Sequence, residues 1–362
     1  MQYILPDDLK RFMCKTFIAL GVPEGDAEIC SEILITSDLR GIESHGIGRL
    51  RMYVDRIHQG LIEPVSKPEI VKESATTAVV DGHHGIGMVI GYFSMSLAIQ
   101  KAKEFGIGAV AVRNSSHFGI DGYYPLMAVD AGMIGISFTN ARPAVAPTFS
   151  VQPILGTNPI AFGAPTDEDF PFLFDAATSI TQRGKIEVLY REGKPLKSGW
   201  VINNQGNIVD DPAQILRDLV DNKASLLPLG GLGEDLGGHK GYGLSTIVEI
   251  LSSSLQSGAF LSALSGLDEH GAPTRFRVGH FFTAINIQNF IELPTFKKNI
   301  GCLLRELRSA KKAPGQNRIY TSGEKEYLST LEVHKRGVPI NENLYQDILY
   351  IKKLLNIDDL DL

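Results

Sequence analysis

Cysteine is scarce in this chain, with three residues, Cys14, Cys30 and Cys302. Their spacing offers neither a disulfide framework nor a C-x-x-C metal pair. Unpaired thiols fit a reducing compartment, and the expected location is the cytoplasm. Long apolar runs are missing too. No stretch reaches the roughly 18–20 residues that cross a bilayer. The opening Met1-Gln2-Tyr3-Ile4-Leu5-Pro6-Asp7-Asp8 has neither the basic start nor the apolar middle of a secretory signal. A strong charge of one sign is also lacking. The formal net charge is −6, and the main basic run is Lys311-Lys312 after Arg305 and Arg308. A nucleic-acid partner, which favours a basic stripe, is therefore not expected, nor is a membrane.

Three chemistries lack their residues. His83 and His84 are adjacent and point apart, and no H-x-x-x-H occurs, so no metal is expected. No G-x-S-x-G nucleophile elbow is present. The run Gly85-Ile86-Gly87-Met88-Val89-Ile90-Gly91 resembles a dinucleotide loop, but its third glycine falls one residue late. No acidic residue follows at the strand end where a ribose would need one. A tight strand-to-helix turn is the better reading.

What the chain does have is 362 residues, 43% of them hydrophobic, and 37 glycines set between apolar runs. Two domains with many short elements are expected. Helices are predicted from Pro6, from Asp26 to Leu39 and from Arg49 to Ile57, before Pro64 and Pro68 mark a linker. Strands are predicted at 76–81, 108–112, 135–139, 159–163, 172–175 and 284–287, and helices at 91–104 and 241–253. This alternation argues for an α/β layer structure. From Thr295 the pattern returns to helix, which predicts that the two ends pack together.

The segment Gly41-Ile42-Glu43-Ser44-His45-Gly46-Ile47-Gly48-Arg49-Leu50-Arg51-Met52-Tyr53 is the most informative. On a helix, His45, Arg49 and Tyr53 at i, i+4 and i+8 share one face. Imidazole suits proton transfer near neutral pH, and guanidinium grips a carboxylate with two parallel hydrogen bonds. Together they suit a 2-oxo or 2-hydroxy acid. A solvated helix face reads equally well from this segment alone. At the end of the strand 108–112, Ser115, Ser116 and the backbone at Gly119 are candidates for a phosphate or ribose, and His117 for a second acid–base group. A turn closed by its own hydroxyls is the alternative. Asp175 ends another apolar strand, either as a helix cap or as the partner of a histidine. Gly237-Gly238-His239-Lys240-Gly241-Tyr242-Gly243 opens a helix whose N–H groups and Lys240 would suit an anion. Arg183 and Lys185 would suit a 2′-phosphate, or are solvated.

In this order the motifs resemble the malate/L-lactate dehydrogenase family over about residues 5 to 345. The matching text is Ser44-His45-Gly46 with Arg49 and Tyr53, Ser115-Ser116-His117-Phe118-Gly119, Leu155-Gly156-Thr157-Asn158-Pro159, Asp175-Ala176-Ala177-Thr178-Ser179 with Gly184-Lys185, His239-Lys240-Gly241-Tyr242-Gly243-Leu244, and Pro314-Gly315. The resemblance implies an α/β, non-Rossmann fold, with a helical substrate and dimerisation domain from 1–70 with 295–362 and a central mixed-sheet α/β domain at 71–294 that binds the nicotinamide cofactor. It implies a homodimer with active sites between subunits. It implies His45 as proton donor with Ser44 and Asp175 relaying or orienting, and Arg49 as the carboxylate clamp with Tyr53 and Thr157 also at the substrate. His117 lies beside the nicotinamide and in some members is the base. The implied cofactor neighbours are His117, Phe118, Gly119, Ile120, Asp121, Asn140, Phe174, Asp175, Ala176, Ala177, Thr178, Ser179, His239, Lys240, Gly241, Pro314, Gly315 and Gln316. Gln316 departs from the family, which commonly has Glu there.

The expected activity is NAD- or NADP-dependent interconversion of a small 2-hydroxy acid and its 2-oxo acid. Reduction of a cyclic imino acid such as piperideine-2-carboxylate is the alternative within oxidoreductases. A non-catalytic ligand-binding relative is the alternative outside them, although such a module has no use for a proton donor.

Overall fold

The computed structural model describes residues 2–191 and 193–357. Met1, Glu192 and 358–362, which fall inside the expected domain ranges, lie outside the described residues. The centre is a seven-stranded sheet in the order Glu69–Glu73, Thr77–Asp81, Ile107–Ser115, Val278–Asn286, Met133–Thr139, Ile160–Ala164, Phe172–Ala176. Only Thr77–Asp81 and Ile107–Ser115 run parallel; the other neighbours are antiparallel. The α/β layering expected from the alternating pattern is present, and the sheet is mixed, as the family resemblance implies. The strand predicted at 284–287 begins six residues earlier, at Val278, and inserts into the middle of the sheet. Its polar start, with His280 buried between Thr139 and Ser115, hid it from a search for apolar alternation.

The parallel pair is joined by the helix Gly87–Phe105, which packs on Ile107–Ser115 and Val278–Asn286. Its glycines explain the near-match to a phosphate loop. A Cβ on Gly87 would collide with the Ser116 and His117 carbonyls, and one on Gly91 would lie 2.7 Å from the Tyr124 ring. The small residues let the helix approach the backbone and an aromatic side chain; they do not cradle a phosphate. The same logic covers Gly238 and Gly241 at the head of the helix Gly238–Ser253, whose Cβ atoms would strike the Gly231 and Leu229 carbonyls.

The N-terminal helices are Pro6–Ala19, with proline at its first turn and Asp7 and Asp8 facing the helix N-terminus, and Glu24–Leu39. The two ends of the chain do meet. Gln2–Ile4 pairs antiparallel with Val338–Ile340, two short strands the sequence pattern did not reveal. The helix Glu342–Leu355 lies against Leu50–His58. There the Arg51 guanidinium bonds Asp347 at 3.0 Å and sits 3.6 Å from the Tyr350 ring centroid. One continuous apolar core joins these helices to the sheet through Leu9, Phe12, Phe17, Tyr53, Val110 and Phe282. A second, smaller core lies wholly within 145–226, where Ile186, Val201, Ile215 and Leu226 meet. It is framed by the sheet Ala224–Leu226, Val201–Asn203, Ile208–Val209 and the helices Arg183–Arg191 and Pro212–Val220.

Candidate active site

The site forms where sheet strands begin and end together. Ile107–Ser115 runs into the loop carrying His117 and Asp121, Met133–Thr139 into Asn140–Arg142, and Phe172–Ala176 into Ala177. Thr157 and Pro159 lead into Ile160–Ala164, and Phe276 precedes Val278–Asn286. All of these line one cavity of about 460 Å³, within the roughly 300–1,000 Å³ typical of small-molecule sites.

His45 and Arg49 enter this cavity from the other side, but not along a helix face. Residues 41–46 are turns, Ile47–Arg49 is a single 3-10 turn, and the α-helix begins at Leu50. The cause is Asp38. Its buried carboxylate accepts the Ile47 N–H at 2.7 Å, and a Cβ on Gly46 would overlap it. The carboxylate thus replaces the helical carbonyl that Ile47 would otherwise need. Burial pushes the Asp38 carboxyl up to about 8.

The turn stacks His45 on His117, with ring centroids 5.6 Å apart and planes 22° from parallel. Each ring is tied through Nδ1. His45 meets Ser44 Oγ at 2.9 Å, and His117 meets Tyr53 Oη at 2.6 Å, with the Gly119 N–H at 3.3 Å. Tyr53 Oη also donates to the His117 carbonyl at 3.1 Å. Neither Nε2 has a protein partner among the described residues. Burial pushes His45 down to about 4, with Arg49 adding to the shift, and holds His117 well below the usual imidazole range, with His45, Arg49 and Arg56 adding. Arg49 is braced by its Nε donating to the Ser44 carbonyl at 2.5 Å. Its two terminal nitrogens have no protein partner among the described residues. Gly184, at the head of the helix Arg183–Arg191, comes against Ser44: a Cβ there would lie 3.0 Å from Ser44 Cβ.

Asp175 lies at the cavity, but its bond goes to the Gly122 N–H at 2.8 Å and not to a histidine ring. Burial raises its carboxyl to about 6, against the pull of the Gly122 N–H and Arg40. Asp121 is buried beside it, bonded through one oxygen to Ser137 Oγ, with its other oxygen unpartnered. Burial first, and the Asp175 charge second, push it well up. Asn140 is pinned by Glu249 at 3.3 Å, the Ala259 carbonyl and the Gly279 N–H, so its side chain braces the strand ends. Asn158 holds the same Glu249 at 2.8 Å.

The structure brings His45, Arg49, His117, Phe118, Gly119, Ile120, Asp121, Asn140, Thr157, Asp175, Ala176 and Ala177 to this one cavity. Tyr53 does not reach it; fully buried behind His117, it holds the imidazole. Ser44 stands behind His45 in the same way. Ser115 and Ser116 are turned inward, to His280 at 2.8 Å and to the Gly85 carbonyl at 2.9 Å, which leaves neither free for a phosphate. Thr178 and Ser179 spend their hydroxyls on backbone carbonyls, at 2.9 Å and 2.6 Å, and Phe174 alternates to the exposed face of its strand. His239, Lys240 and Gly241 sit at the start of the helix Gly238–Ser253, and Pro314, Gly315 and Gln316 in an exposed loop after the helix Leu293–Ser309. Neither group lines the cavity. Arg183 pairs with Glu187 on its own helix at 2.9 Å.

Sequence reasoning missed Arg56, Arg142, Gln182 and Glu326, all at the cavity wall. Arg56 was signalled, seven residues after Arg49, a spacing that returns to the same side of a helix. Arg142 follows a strand end, the position that singled out His117.

The malate/L-lactate dehydrogenase family model matches residues 4–349. The chain is 46% identical to a malate dehydrogenase of Pyrococcus horikoshii, over 98% of this chain and 96% of that one. It is 37% identical to an L-sulfolactate dehydrogenase of Methanocaldococcus jannaschii, over 98% of each. The crystal structure of malate dehydrogenase from Entamoeba histolytica superposes with a TM-score of 0.96 at 44% identity, covering 100% of this chain and 99% of that chain. With the match running almost end to end, this chain belongs to the malate/L-lactate dehydrogenase family.

Proposed function

We propose that the cavity is the active site of a nicotinamide-dependent dehydrogenase that interconverts a 2-hydroxy acid and its 2-oxo acid, using NAD or NADP. One observation carries the reading. Two imidazoles, each anchored through Nδ1, stand beside an arginine whose terminal nitrogens are unpaired, all on one cavity. That is an acid–base group next to a carboxylate clamp.

The walls fit a nicotinamide ring. Phe118, Ile120, Ala176 and Ala177 supply an apolar slot. The unpartnered oxygen of Asp121, on a carboxyl that burial drives toward its protonated form, suits a carboxamide. The chemistry a bound nicotinamide would supply is acceptance of the C2 hydride in oxidation and its return in reduction. The chain does the rest. Arg49 holds the C1 carboxylate in its two-pronged grip, which fixes C2 against the cavity wall. With Tyr53 giving its proton to the His117 carbonyl at 3.1 Å, the 2.6 Å contact of its oxygen with Nδ1 favours the Nδ1–H tautomer over the longer 3.3 Å contact in which the Gly119 N–H donates to the same nitrogen. That leaves the lone pair of His117 on Nε2, aimed at the substrate hydroxyl. His117 takes this proton in oxidation and returns it in reduction, while Ser44 sets His45 Nε2–H to donate to the same oxygen. Asp175 acts at the cavity as a charge, without a bond to either ring. His239, Lys240, Gly241, Pro314, Gly315 and Gln316 fit the cofactor's outer portion in a cytoplasmic homodimer, with 1–70 and 295–362 as the substrate and dimerisation part and 71–294 as the cofactor part. The half-exposed Ile247 and Ile250 support a second subunit there. Among the described residues no helix is long and apolar enough to cross a membrane.

The test is loss of NADH or NADPH absorbance with a panel of 2-oxo acids. His117→Ala should lower kcat by about 10²–10⁴, the usual weight of general acid–base catalysis, while NADH fluorescence titration still shows binding. If His117→Ala keeps most of its rate and His45→Ala does not, the proton belongs to His45. Turnover of cyclic imino acids alone would replace the reaction, and cofactor binding without any turnover would refute it.

A further inference from the structure

We propose that Arg56 and Arg142 form a second anion clamp, in the same cavity as Arg49, that selects dianionic 2-hydroxy and 2-oxo acids, those with a second carboxylate or a sulfonate, over monoanionic ones. This deepens the dehydrogenase reading and rests on it for the identity of the substrate.

Arg49, Arg56 and Arg142 all line the one cavity. Arg56 stands two helical turns beyond Arg49, on the helix Leu50–His58. Its guanidinium carbon lies 4.2 Å from the ring centroid of Phe276, another wall residue. This face-on packing orients the guanidinium while leaving its N–H edge for a ligand. Arg142 arrives from the opposite element, at the end of Met133–Thr139. Among the described residues none of the three forms an ion pair with a carboxylate. The acidic groups of the cavity are engaged elsewhere: Asp175 and Glu326 are the charges that act on Arg40, and Asp121 is bonded to Ser137.

Three uncompensated cations in a partly desolvated pocket repel one another. Burial pulls Arg56 down to about 10, with Arg142 and Arg49 adding to the shift against the opposing effect of Tyr53. Anions that complete such an arrangement relieve this repulsion. A single carboxylate satisfies one guanidinium in two-pronged fashion. With Arg49 holding the carboxylate next to the reacting carbon, Arg56 and Arg142 are left facing the substrate's far end. A methyl group there leaves two buried cations unpaired, whereas a carboxylate or sulfonate pairs with them. Rejection of the smaller acid is then the expensive side of the discrimination, since a site built for a charge is left unsatisfied without one.

The experiment compares oxaloacetate with pyruvate, using NADH or NADPH, in wild type and in Arg56→Met, Arg142→Met and Arg56→Lys. Each Met variant should lower the oxaloacetate-to-pyruvate ratio of kcat/KM by about 10–150-fold, the weight of one charged hydrogen bond. Arg56→Lys should restore part of the ratio. In parallel, malonate should raise the melting temperature of wild type far more than acetate does, by preferential binding to the folded state, and the Met variants should lose that difference. A ratio that stays at the wild-type value in both folded Met variants, or acetate matching malonate in wild type, overturns the clamp. If the Met variants do not fold, the same ratio is read in Arg56→Gln and Arg142→Gln. Malonate-selective stabilisation of a wild type that reduces no 2-oxo acid would keep the clamp and remove the dehydrogenase reading.

Discussion

Replacing Tyr53 with Phe removes one oxygen and little else. The ring is fully buried, edge-on to Phe17 at 5.9 Å and to His117 at 5.7 Å, and Phe keeps both contacts. What goes is the 2.6 Å bond between Oη and His117 Nδ1, together with the 3.1 Å donation to the His117 carbonyl. The remaining neighbour of Nδ1 is the Gly119 N–H at 3.3 Å, a donor that cannot accept the imidazolium proton. A hydrogen bond to a neutral group contributes about 0.5–1.5 kcal/mol, and one to a charged group about 1.5–3. The imidazolium therefore loses about 1–1.5 kcal/mol more than the neutral ring, which is about one pH unit. His117, already held low by burial, should drop by about that unit. In the reducing direction the protonated ring is the active form, so the pH at which the rate declines should move acidward by about one unit. Rate at neutral pH should fall about tenfold, in kcat and not in KM. A pH series of kcat with saturating 2-oxo acid reads all of this. A raised KM with an unmoved pH profile would refute the reasoning and return Tyr53 to the substrate contact that the family resemblance implies.

Two further outcomes are expected. Arg49→Lys keeps the charge but not the fork, so kcat/KM should fall about 10–150-fold for oxaloacetate and pyruvate in proportion. A change confined to one substrate would remove Arg49 from the shared carboxylate. Asp38→Asn should flatten the pH dependence of stability on the alkaline side. A carboxyl raised to about 8 in the folded chain gives stability that is complete below the unfolded value of about 4 and drains away as pH rises from there through about 8. Asn keeps an acceptor for the Ile47 N–H and has no proton to lose. Melting temperatures from about pH 7 to about pH 9 should decline in wild type and much less in the variant. On the acid side the variant should fall more steeply than wild type, because His45, lowered to about 4, loses its contribution as pH drops from about 6.5 through 4 and only wild type has the Asp38 carboxyl to offset that loss. Parallel curves at alkaline pH would count against a protonated Asp38.

The sheet was legible where apolar residues alternate between glycine-rich turns. Thr77–Asp81, Met133–Thr139, Ile160–Ala164 and Phe172–Ala176 lie close to where the pattern put them. Three kinds of element escaped. Glu69–Glu73 is an edge strand with all five residues exposed, so it carries no apolar signal. Gln2–Ile4 and Val338–Ile340 are three residues each and exist because the chain ends meet, a tertiary fact. The elements between Arg183 and Leu226 enclose a core of their own whose partners are scattered through the sequence. The spacing of His45, Arg49 and Tyr53 suggested the right neighbours for the wrong reason. They converge because Asp38 breaks the helix before Leu50 and Tyr53 reaches His117 from behind, not because they share a helix face.

Residue types suggested the chemistry proposed for the site, but not its electrostatics. Imidazole was chosen because it titrates near neutral pH in water, and in the fold neither ring keeps that value. Burial and the neighbouring cations hold both histidines neutral in this cavity. In the proposed clamp the same cations are those the substrate meets. An arriving anion cancels the field that disfavours the imidazolium, so pairing with Arg49, Arg56 and Arg142 raises the proton affinity of the ring beside it. An acid with two negative groups does this more than an acid with one. Substrate recognition and proton transfer therefore form a single electrostatic arrangement. It depends on Arg142 being folded against Arg56 across 86 residues of chain, a distance over which local spacing carries no information.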